Sequence, residues 1–460
     1  MIIVRESAAA FKGWLAKTSL GALGLTMVMR MVLGFILHRG RMSCSQAAGS
    51  IAAESVHRGE LTRFLARPRW QKVDFNAPLR AALLAKESRS GKFLFLLDAT
   101  LVSQSGKKTQ NTYSTGNRGG ARRGKKRGGK KRRYNQQKIV FKKCHSFTFG
   151  VLITPSGIRV PFQVPHLTKE YCAEHNLVHR TTAEAAADMI AALPLPPEAE
   201  VIVLGDTAYD AKSVQEACEA RGDVWIVPAN PERVYAGPTG QRPKLRSRLK
   251  DWTSLSLKTV RLRASTGQYA RYRRLSKWRV GPKQKPREYY AYQETTAVRS
   301  VGRVQLVFST MKPKLKTATP DDVKILMTNA LNMSVSEVLE LYSLRWQIEL
   351  FFKELKSTLG FAQYSFQNFN AVKAWVETTI TTVLFLETQR AERMQDRRLS
   401  PDRRHWWETQ RLHGLCSAFR QECTGRELKY LSDRLKTSGG IEKLKRLLAA
   451  AIPTEYRAAM

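Results

Sequence analysis

The sequence predicts an α/β protein in which a mixed sheet lies between two helical regions. Residues 93–97 and 201–205 are continuous apolar runs, typical of strands that are buried on both faces. An aspartate follows each run directly, Asp98 after the first and Asp206 after the second. Hairpin and helix patterns alternate with these strands, and that order is typical of a mixed α/β sheet.

The other elements are predicted from turn residues and periodicity. Residues 147–154 and 158–164 flank Pro155-Ser156-Gly157 and predict a hairpin, whereas the Ala-rich residues 182–193 before Pro194 predict a helix. The order continues with a helix at 211–221, a strand at 224–227, and strands of a β-rich insertion at 259–263, 288–293 and 303–308.

The N-terminal region is predicted to be helical and to bind DNA. Candidate helices at 45–53 and 61–66 fit either a helix-turn-helix or a plain helical hairpin. Residues 20–37 are apolar and about as long as a membrane span, but Arg30 in their centre would be costly in lipid. We therefore expect a buried helix there and a cytoplasmic protein with no membrane partner.

The changes in pattern divide the chain into five segments. The basic loop interrupts the strands of the core, and the insertion separates the core into two parts. The segments are a helical DNA-binding region at 1–85, the first part of the core at 86–227 with a basic loop at 104–143, the β-rich insertion at 228–311, the remainder of the core at 312–390 and a basic helical region at 391–460.

The chain is strongly basic, with 78 Lys and Arg against 38 Asp and Glu and a formal net charge of +40. This excess argues against an ordinary metabolic enzyme and indicates a polyanionic partner, nucleic acid rather than a membrane surface. Residues 118–133 hold ten Lys or Arg and five Gly, so they form either a DNA phosphate contact or a solvated loop without a partner. The predicted DNA contacts in this loop are Arg122, Arg123, Lys125, Lys126, Arg127, Lys130, Lys131, Arg132 and Arg133.

The six cysteines are scattered, without a CxxC pair, and predict reduced thiols of a cytosolic protein. His413, Cys416 and Cys423 lie close together in sequence, but no fourth ligand follows at regular spacing. Small buried thiols are therefore expected rather than a structural zinc site.

A helix with a distinctive polar face is predicted at 335–359. Ser334 and Glu337 form a capping-box pattern before it, and Gly360 fits the position after its C-terminus. Polar residues share one face, next to an apolar one, and span an arc of about 60° in helical projection. They are Tyr342, Arg345, Glu349 and Lys356. Geometry alone leaves open an exposed stripe with a simple Arg345–Glu349 ion pair.

The three carboxylates of Asp98, Asp206 and Glu349 provide a second observation. Two aspartates at strand ends and a glutamate on a helix could together hold two divalent cations, because hard cations prefer oxygen ligands. Two such ions suit phosphodiester chemistry, since one activates the nucleophile and the other stabilises the leaving oxygen.

At these residues the sequence resembles a known family. Tyr342-Ser-Leu-Arg345-Trp-Gln-Ile-Glu349-Leu-Phe-Phe-Lys-Glu-Leu-Lys356 resembles the Y-(2)-R-(3)-E-(6)-K signature of bacterial DDE transposases of the insertion-sequence-four type. Leu-Leu-Asp98-Ala-Thr and Leu-Gly-Asp206-Thr-Ala-Tyr209 resemble that family's first and second aspartate motifs. The resemblance covers about residues 93–366. It implies a ribonuclease-H-like core with a β insertion between Asp206 and Glu349, which are 143 positions apart.

The resemblance also implies roles for individual residues. Asp98, Asp206 and Glu349 would be the catalytic and metal-binding triad for two divalent ions, Mg²⁺ or Mn²⁺, although Asp210 competes with Asp206 for the second place. Tyr342, Arg345 and Lys356 would bind phosphates and displaced nucleotides at the transposon end. Trp346 would either stack on a base or pack in the ordinary way. Trp225, Trp252 or Trp278 would form the wall of a pocket for a flipped base.

As a whole, the resemblance implies an insertion-sequence transposase, a polynucleotidyl transferase with DNA endonuclease activity. It would bind the inverted repeats of double-stranded transposon ends, cut them and join the freed 3′-OH to target DNA. It would act as a synaptic homodimer and, in a bacterium, associate with the nucleoid. Two alternatives remain: a stand-alone metal-dependent DNA nuclease and an inactive nucleic-acid-binding protein.

Overall fold

Within its described residues the chain has a mixed α/β fold with helices at both ends. The computed structural model describes residues 11–38, 42–49, 56–67, 74–117, 140–236, 242–249, 257–262, 269–273, 286–312 and 322–436, together with Gly439 and Glu442. The basic residues 118–133, Trp252 and Trp278 lie outside the described residues.

Ten strands form one mixed sheet. They are β1 (Phe93–Gln104), β2 (Tyr113–Asn117), β3 (Val140–Ile153), β4 (Arg159–Pro165), β5 (Val201–Leu204), β6 (Val224–Pro228), β7 (Lys258–Leu262), β8 (Arg287–Val298), β9 (Gly302–Thr310) and β10 (Lys324–Thr328). Their order is β2-β3-β1-β5-β6-β10-β9-β8-β7, and β4 pairs with the second half of β3. Only the β1–β5 and β5–β6 pairs are parallel among these strands.

Helices precede, cover and follow the sheet. They are α1 (Ala22–Leu37), α2 (Cys44–Ala48), α3 (Arg58–Leu65), α4 (Ala77–Leu84), α5 (Lys169–Glu174), α6 (Thr182–Ala191), α7 (Lys212–Arg221), α8 (Leu245–Arg248), α9 (Val335–Leu344), α10 (Trp346–Thr358), α11 (Phe369–Gln395), α12 (Pro401–Thr409) and α13 (Leu412–Leu435). The hairpin, the Ala-rich helix and the insertion strands predicted from sequence are all present. β3 begins seven residues before its predicted start and β8 ends five residues after its predicted end, whereas the other ends lie within two residues of the prediction.

The apolar N-terminal stretch forms the buried helix α1, as predicted. Most of its residues are buried, and it packs against α11. Arg30 is 1% exposed, and its Nη1 donates to the carbonyl oxygen of Ala48 at 3.4 Å. In the described part of the chain, no helix is long and apolar enough to cross a membrane. All six cysteines are described and none forms a disulfide.

The prediction that the first strand ends at Asp98 is wrong. β1 continues to Gln104, because its antiparallel partner β3 pairs with it without interruption from Leu94 to Gln104. On its other side, the parallel pairing with β5 ends at Leu96. Asp98 therefore lies in mid-strand, but on the side where the neighbouring strand has already ended.

The insertion does not form a separate sheet, and one strand was missed in the sequence. β10 follows the insertion and pairs with β6 of the core on one side and with β9 on the other. Through it, β9, β8 and β7 extend the core sheet. The five residues of β10 are too short an apolar run to be recognised without the partner strands.

The predicted single helix at 335–359 is also wrong, since it divides into α9 and α10 at Arg345. The backbone tightens there into i→i−3 hydrogen bonds: the Arg345 N–H donates to Tyr342 and the Ile348 N–H to Arg345, each at 3.1 Å. Only half of the capping box forms. Ser334 accepts from the Glu337 N–H, whereas the Glu337 carboxylate accepts from Lys92 and Tyr269 instead.

A buried ion cluster joins α10 to the hairpin and the C-terminal helices. Arg159 of β4 donates to Glu354 of α10 at 3.0 Å and to Glu387 of α11 at 3.1 Å. Arg390 donates to Glu387 at 2.9 Å and to the Gly157 carbonyl at 2.6 Å. These side chains are between 0% and 10% exposed, so the charges depend on one another for neutralisation.

Candidate active site at the carboxyl edge of the sheet

Asp98 and Asp206 lie side by side at one edge of the sheet. The parallel pairing of β1 and β5 ends with Leu96 opposite Leu204, and each aspartate comes two residues after that pair. Because side chains alternate with period two along a strand, Asp98 points to the same face as Leu96. The register thus brings together two residues that are more than a hundred positions apart in sequence.

Local hydrogen bonds hold each aspartate. The Asp98 Oδ1 accepts from the Ala99 N–H at 2.8 Å, and the Asp206 Oδ1 accepts from the Ala208 N–H at 2.9 Å. The latter bond caps the short 3₁₀ turn Thr207–Tyr209 that follows β5. Gly205 permits this turn, because a Cβ there would lie 2.7 Å from the Cβ of Tyr209.

Arg345 connects the sheet edge to Glu349 in the first turn of α10. Its Nη2 donates to the Glu349 Oε1 at 2.7 Å, and its Nη1 donates to the Asp98 Oδ2 at 3.4 Å. The side chains of Arg345 and Asp98 are 15% and 18% exposed, and that of Glu349 is 31% exposed. The predicted Arg345–Glu349 pair therefore exists, but it is shared with a carboxylate from the sheet.

The three carboxylates are close enough to influence one another's charge. Burial is the largest influence on Asp98 and raises its pKa, and the carboxylates of Asp206 and Glu349 raise it further. The Ala99 N–H and Arg345 act in the opposite direction. Burial would lower the pKa of Arg345, but Tyr342, Glu349 and Asp98 together raise it.

Tyr209 is a buried neighbour of this site with an unused hydroxyl. It is 1% exposed, and among the described residues its Oη has no hydrogen-bond partner. Burial, together with the charges of Asp98 and Asp206, raises its pKa far above the usual range, so the phenol is a donor. A buried donor without an acceptor beside two carboxylates marks a place for a further oxygen atom.

Asp210, the competing aspartate, has a different environment. It forms an ion pair with Arg233 at 2.7 Å, and it accepts from the Asn230 N–H and from Gln215. Its side chain is 1% exposed. These partners give Asp210 a structural role in fixing the chain after β6, and they favour Asp206 as the site residue.

The other predicted residues of the helix motif, Tyr342, Lys356 and Trp346, have different environments. Burial is the largest influence on Tyr342 and raises its pKa to about 12, while its charge also interacts with Asp206, Glu349 and Arg345. The Lys356 Nζ donates to the Leu101 carbonyl of β1 at 3.2 Å, three residues after Asp98. Trp346 is 51% exposed, so ordinary core packing does not explain it.

One neighbouring cation, Lys324, was missed in the sequence. It is the first residue of β10, and its Nζ donates to the Tyr342 Oη at 3.4 Å. The ammonium lies 4.6 Å from the centroid of the Tyr342 ring. The only sequence signal is a lysine that opens a short apolar run, which by itself indicates a solvated strand end.

The structure excludes Trp225 as the wall of a base pocket. Trp225 is 0% exposed and lies in β6 between β5 and β10, so a base cannot reach it. Trp252 and Trp278, the other two candidates, lie outside the described residues. The predicted contacts of the basic loop lie outside them as well.

The donor set fits a hard divalent cation in its chemistry. Three carboxylates supply oxygen ligands. Burial, with the charges of Asp206 and Glu349 added to it, raises the pKa of Asp98, and a bound cation would favour the charged form of this carboxylate. Within the described residues, no group of three His, Cys, Asp or Glu side chains is arranged closely enough to hold a metal as it stands. Arg345 is the cation that neutralises Asp98 and Glu349 here.

One comparison with known proteins finds a matching family model. A comparison with curated proteins finds no match. Residues 172–385, just under half of the chain, match the family model described as Transposase DDE domain. The matched residues include Asp206, Arg345 and Glu349, whereas Asp98 lies before them. Together with the mixed sheet, which agrees with a ribonuclease-H-like transposase core, the match supports a DDE transposase.

Proposed function

We propose that this chain is a transposase of an insertion sequence, of the insertion-sequence-four type. It binds the terminal inverted repeats of its element, cuts the ends and joins the freed 3′-OH to target DNA. The observation that carries the proposal is the convergence of Asp98, Asp206 and Glu349 on one sheet edge, with Arg345 of the same motif between two of them.

In this proposal Asp98, Asp206 and Glu349 hold two divalent ions, Mg²⁺ or Mn²⁺. When bound, such ions activate a water or 3′-hydroxyl nucleophile and stabilise the leaving oxygen of a phosphodiester. The protein contributes the positions of the ligands: the Ala99 and Ala208 N–H groups each orient one carboxylate. The Tyr209 hydroxyl is available to donate to an oxygen atom at this site.

The same proposal assigns the DNA contacts. Arg345, between Asp98 and Glu349, and Lys356, at β1, bind phosphates. Tyr342 supports them, and Trp346 offers an exposed ring on which a base can stack. The net charge of +40 and the basic residues 122–133 add sequence-independent attraction to the backbone. We expect the active form to be a homodimer that pairs the two ends, associated with bacterial nucleoid DNA.

Strand joining distinguishes the proposal from a stand-alone nuclease. The experiment supplies a duplex that ends in the 3′-OH of the element's terminal repeat, labelled on that strand, with plasmid target and Mg²⁺. We expect label covalently joined to the plasmid with the wild type, and none with Asp206→Asn. Asp188→Asn, which changes an exposed aspartate on α6, serves as the matched control.

Each result assigns one function. Cutting of an intact duplex that spans the element boundary, without joining of the pre-cut end, would contradict the transposase and favour the stand-alone nuclease. Binding with neither reaction would favour an inactive nucleic-acid-binding protein. Joining that persists in Asp206→Asn would show that the reaction does not use these carboxylates.

A further inference from the structure

Lys324 is a cation close to the site that lies outside the helix motif. Lys324 opens β10, which is three strands away from β1 in the order β1-β5-β6-β10. At about 4.8 Å per strand, β1 and β10 are roughly 14 Å apart. Lys356 contacts β1 at Leu101, so the two lysines lie at the two ends of this four-strand stretch of the sheet.

The sheet register places Lys324 on the same face as Asp98. Leu96 pairs with Leu204, Leu204 with Ile226, and Ile226 with Thr328. Residues paired in this way share a face, and steps of two along a strand keep it.

The same register gives the level of Lys324 along the strands. Asp98 lies two residues after Leu96 on β1. Because β10 runs in the opposite direction, the residue of β10 at the level of Asp98 is Leu326, and Lys324 lies two residues further towards the same edge. Lys324 therefore lies just beyond the level of the aspartates, on the same face of the sheet.

The charges around Lys324 indicate an anionic ligand. Although the residue has an exposed surface, desolvation lowers the pKa of its ammonium, and the nearby Arg345 lowers it further. Asp206 and Glu349 attract it but do not form an ion pair with it within the described residues. Its direct contacts are the hydroxyl and ring of Tyr342.

Charge balance supports the same conclusion. Lys324, Arg345 and Lys356 balance Asp98, Asp206 and Glu349 in the protein alone. Two divalent ions would leave the site with an excess of four positive charges, and phosphates of bound DNA are the anions that could neutralise it.

We propose that Lys324 binds a backbone phosphate of the cut strand, so that this strand crosses the sheet edge from Lys356 at β1 to Lys324 at β10. The inference rests on the proposed function and adds to it a DNA path and a positioning residue. Lys324 and Lys356 then contact phosphates on opposite sides of the scissile phosphate.

Replacing single phosphates of the DNA by uncharged methylphosphonates tests this DNA path directly. The experiment measures binding of the terminal-repeat duplex between 50 and 200 mM salt, with single methylphosphonates placed before or after the scissile phosphate. The proteins are the wild type, Lys324→Met, Lys324→Arg and Lys356→Met, with Lys86→Met as a control. Lys86 pairs with Glu392 on α11, away from the motif.

We expect Lys324→Met to weaken binding roughly 3- to 10-fold and to reduce the salt slope by about one, whereas Lys324→Arg and Lys86→Met keep the wild-type slope. A methylphosphonate on one side of the scissile phosphate should weaken DNA binding by the wild type but not by Lys324→Met. A methylphosphonate on the other side should weaken binding by the wild type but not by Lys356→Met. Thermal unfolding of each variant distinguishes a structural role of the lysine from a phosphate contact. A structural role would lower the stability of the variant without changing the salt dependence of DNA binding.

The outcomes separate the inference from the proposed function. A wild-type slope and a wild-type methylphosphonate pattern in Lys324→Met would overturn the inference, even if the wild type cuts the duplex normally. A wild type that binds but never cuts contradicts the proposed function, while the slope of Lys324→Met still decides whether this phosphate contact exists.

Discussion

Two glutamates of α10, five residues apart, have opposite environments. Glu354 is 10% exposed and is bound by Arg159, by the Leu412 N–H and by the nearby Arg411. Glu349 is 31% exposed, has Arg345 as its ion-pair partner and shares that arginine with Asp98. Both glutamates share their arginine with a second carboxylate, Glu387 in the first case and Asp98 in the second. The first pair has a second arginine, Arg390, whereas the second pair faces a third carboxylate, Asp206.

The comparison shows which ion pairs are structural. In the buried cluster two arginines match two carboxylates, so the charges balance without a ligand, although the Arg159 Nη2 has no hydrogen-bond partner among the described residues. At the sheet edge three carboxylates face one another, and among the described residues the Tyr209 hydroxyl has no hydrogen-bond partner, so a bound cation would reduce the repulsion and a bound oxygen atom could accept from the hydroxyl. The predictions below test this distinction, from the largest expected effect to the smallest.

Asp98→Asn should abolish chemistry without destabilising the fold. We expect cleavage to fall by several orders of magnitude, because a ligand for the divalent ions is lost. The free energy of unfolding should change by less than about 1 kcal/mol, since the substitution also removes repulsion from Asp206 and Glu349. Single-turnover cleavage and urea unfolding measure the two effects. Cleavage within tenfold of the wild type would contradict the role of Asp98.

Glu354→Gln should have the opposite profile. Arg159 would lose one of its two carboxylates in a buried environment, and we expect the free energy of unfolding to fall by about 3 kcal/mol. Cleavage by the folded fraction should stay within about tenfold of the wild type. Urea unfolding checks the first expectation. An unchanged midpoint would mean that the cluster does not hold α10 in place.

Trp346→Ala should weaken DNA binding by about 1–3 kcal/mol through loss of stacking, with little change in stability. Trp406→Ala is a matched control, because Trp406 is also an exposed tryptophan but lies on α12. Fluorescence anisotropy with the terminal-repeat duplex measures the difference. Equal losses for the two variants would exclude a specific stacking role for Trp346.

Lys373→Met should stabilise the protein at neutral pH. Burial lowers the pKa of Lys373 to about 8, whereas an unfolded chain keeps it near its usual value of about 10.4. The folded protein therefore bears the full cost of this charge below pH 8, and wild-type stability rises between those two values as the proton is lost. We expect the variant to be about 1–2 kcal/mol more stable at pH 7, with the difference disappearing near pH 10.5. A difference that is constant with pH would contradict this assignment.

Much of the core was predictable because its signals are local. The apolar runs before Asp98 and Asp206, the hairpin around Ser156 and the motif spacing each depend on residues near one another in sequence. The same signals identified which residues meet at the sheet edge, although their catalytic roles remain a prediction.

Most of the missed features depend on contacts between distant segments. The division of the glutamate helix is an exception, because it is a local tightening of the backbone at Arg345 that apolar periodicity does not reveal. The end of β1 is decided by β3, and the burial of Trp225 by the strands on both sides. Lys324 belongs to the site only through a register that runs across four strands. No pattern within one segment encodes these relations.

Cleavage of a linear duplex that carries the element's end, in Mg²⁺ or Mn²⁺, tests the central claim most directly when the wild type is compared with Glu349→Gln. We predict that the wild type cuts at the element boundary only when the divalent ion is present. Glu349→Gln should bind the duplex with similar affinity and leave it intact. If neither protein cuts while both bind with a steep salt dependence, or if Glu349→Gln cuts as well as the wild type, the account is contradicted.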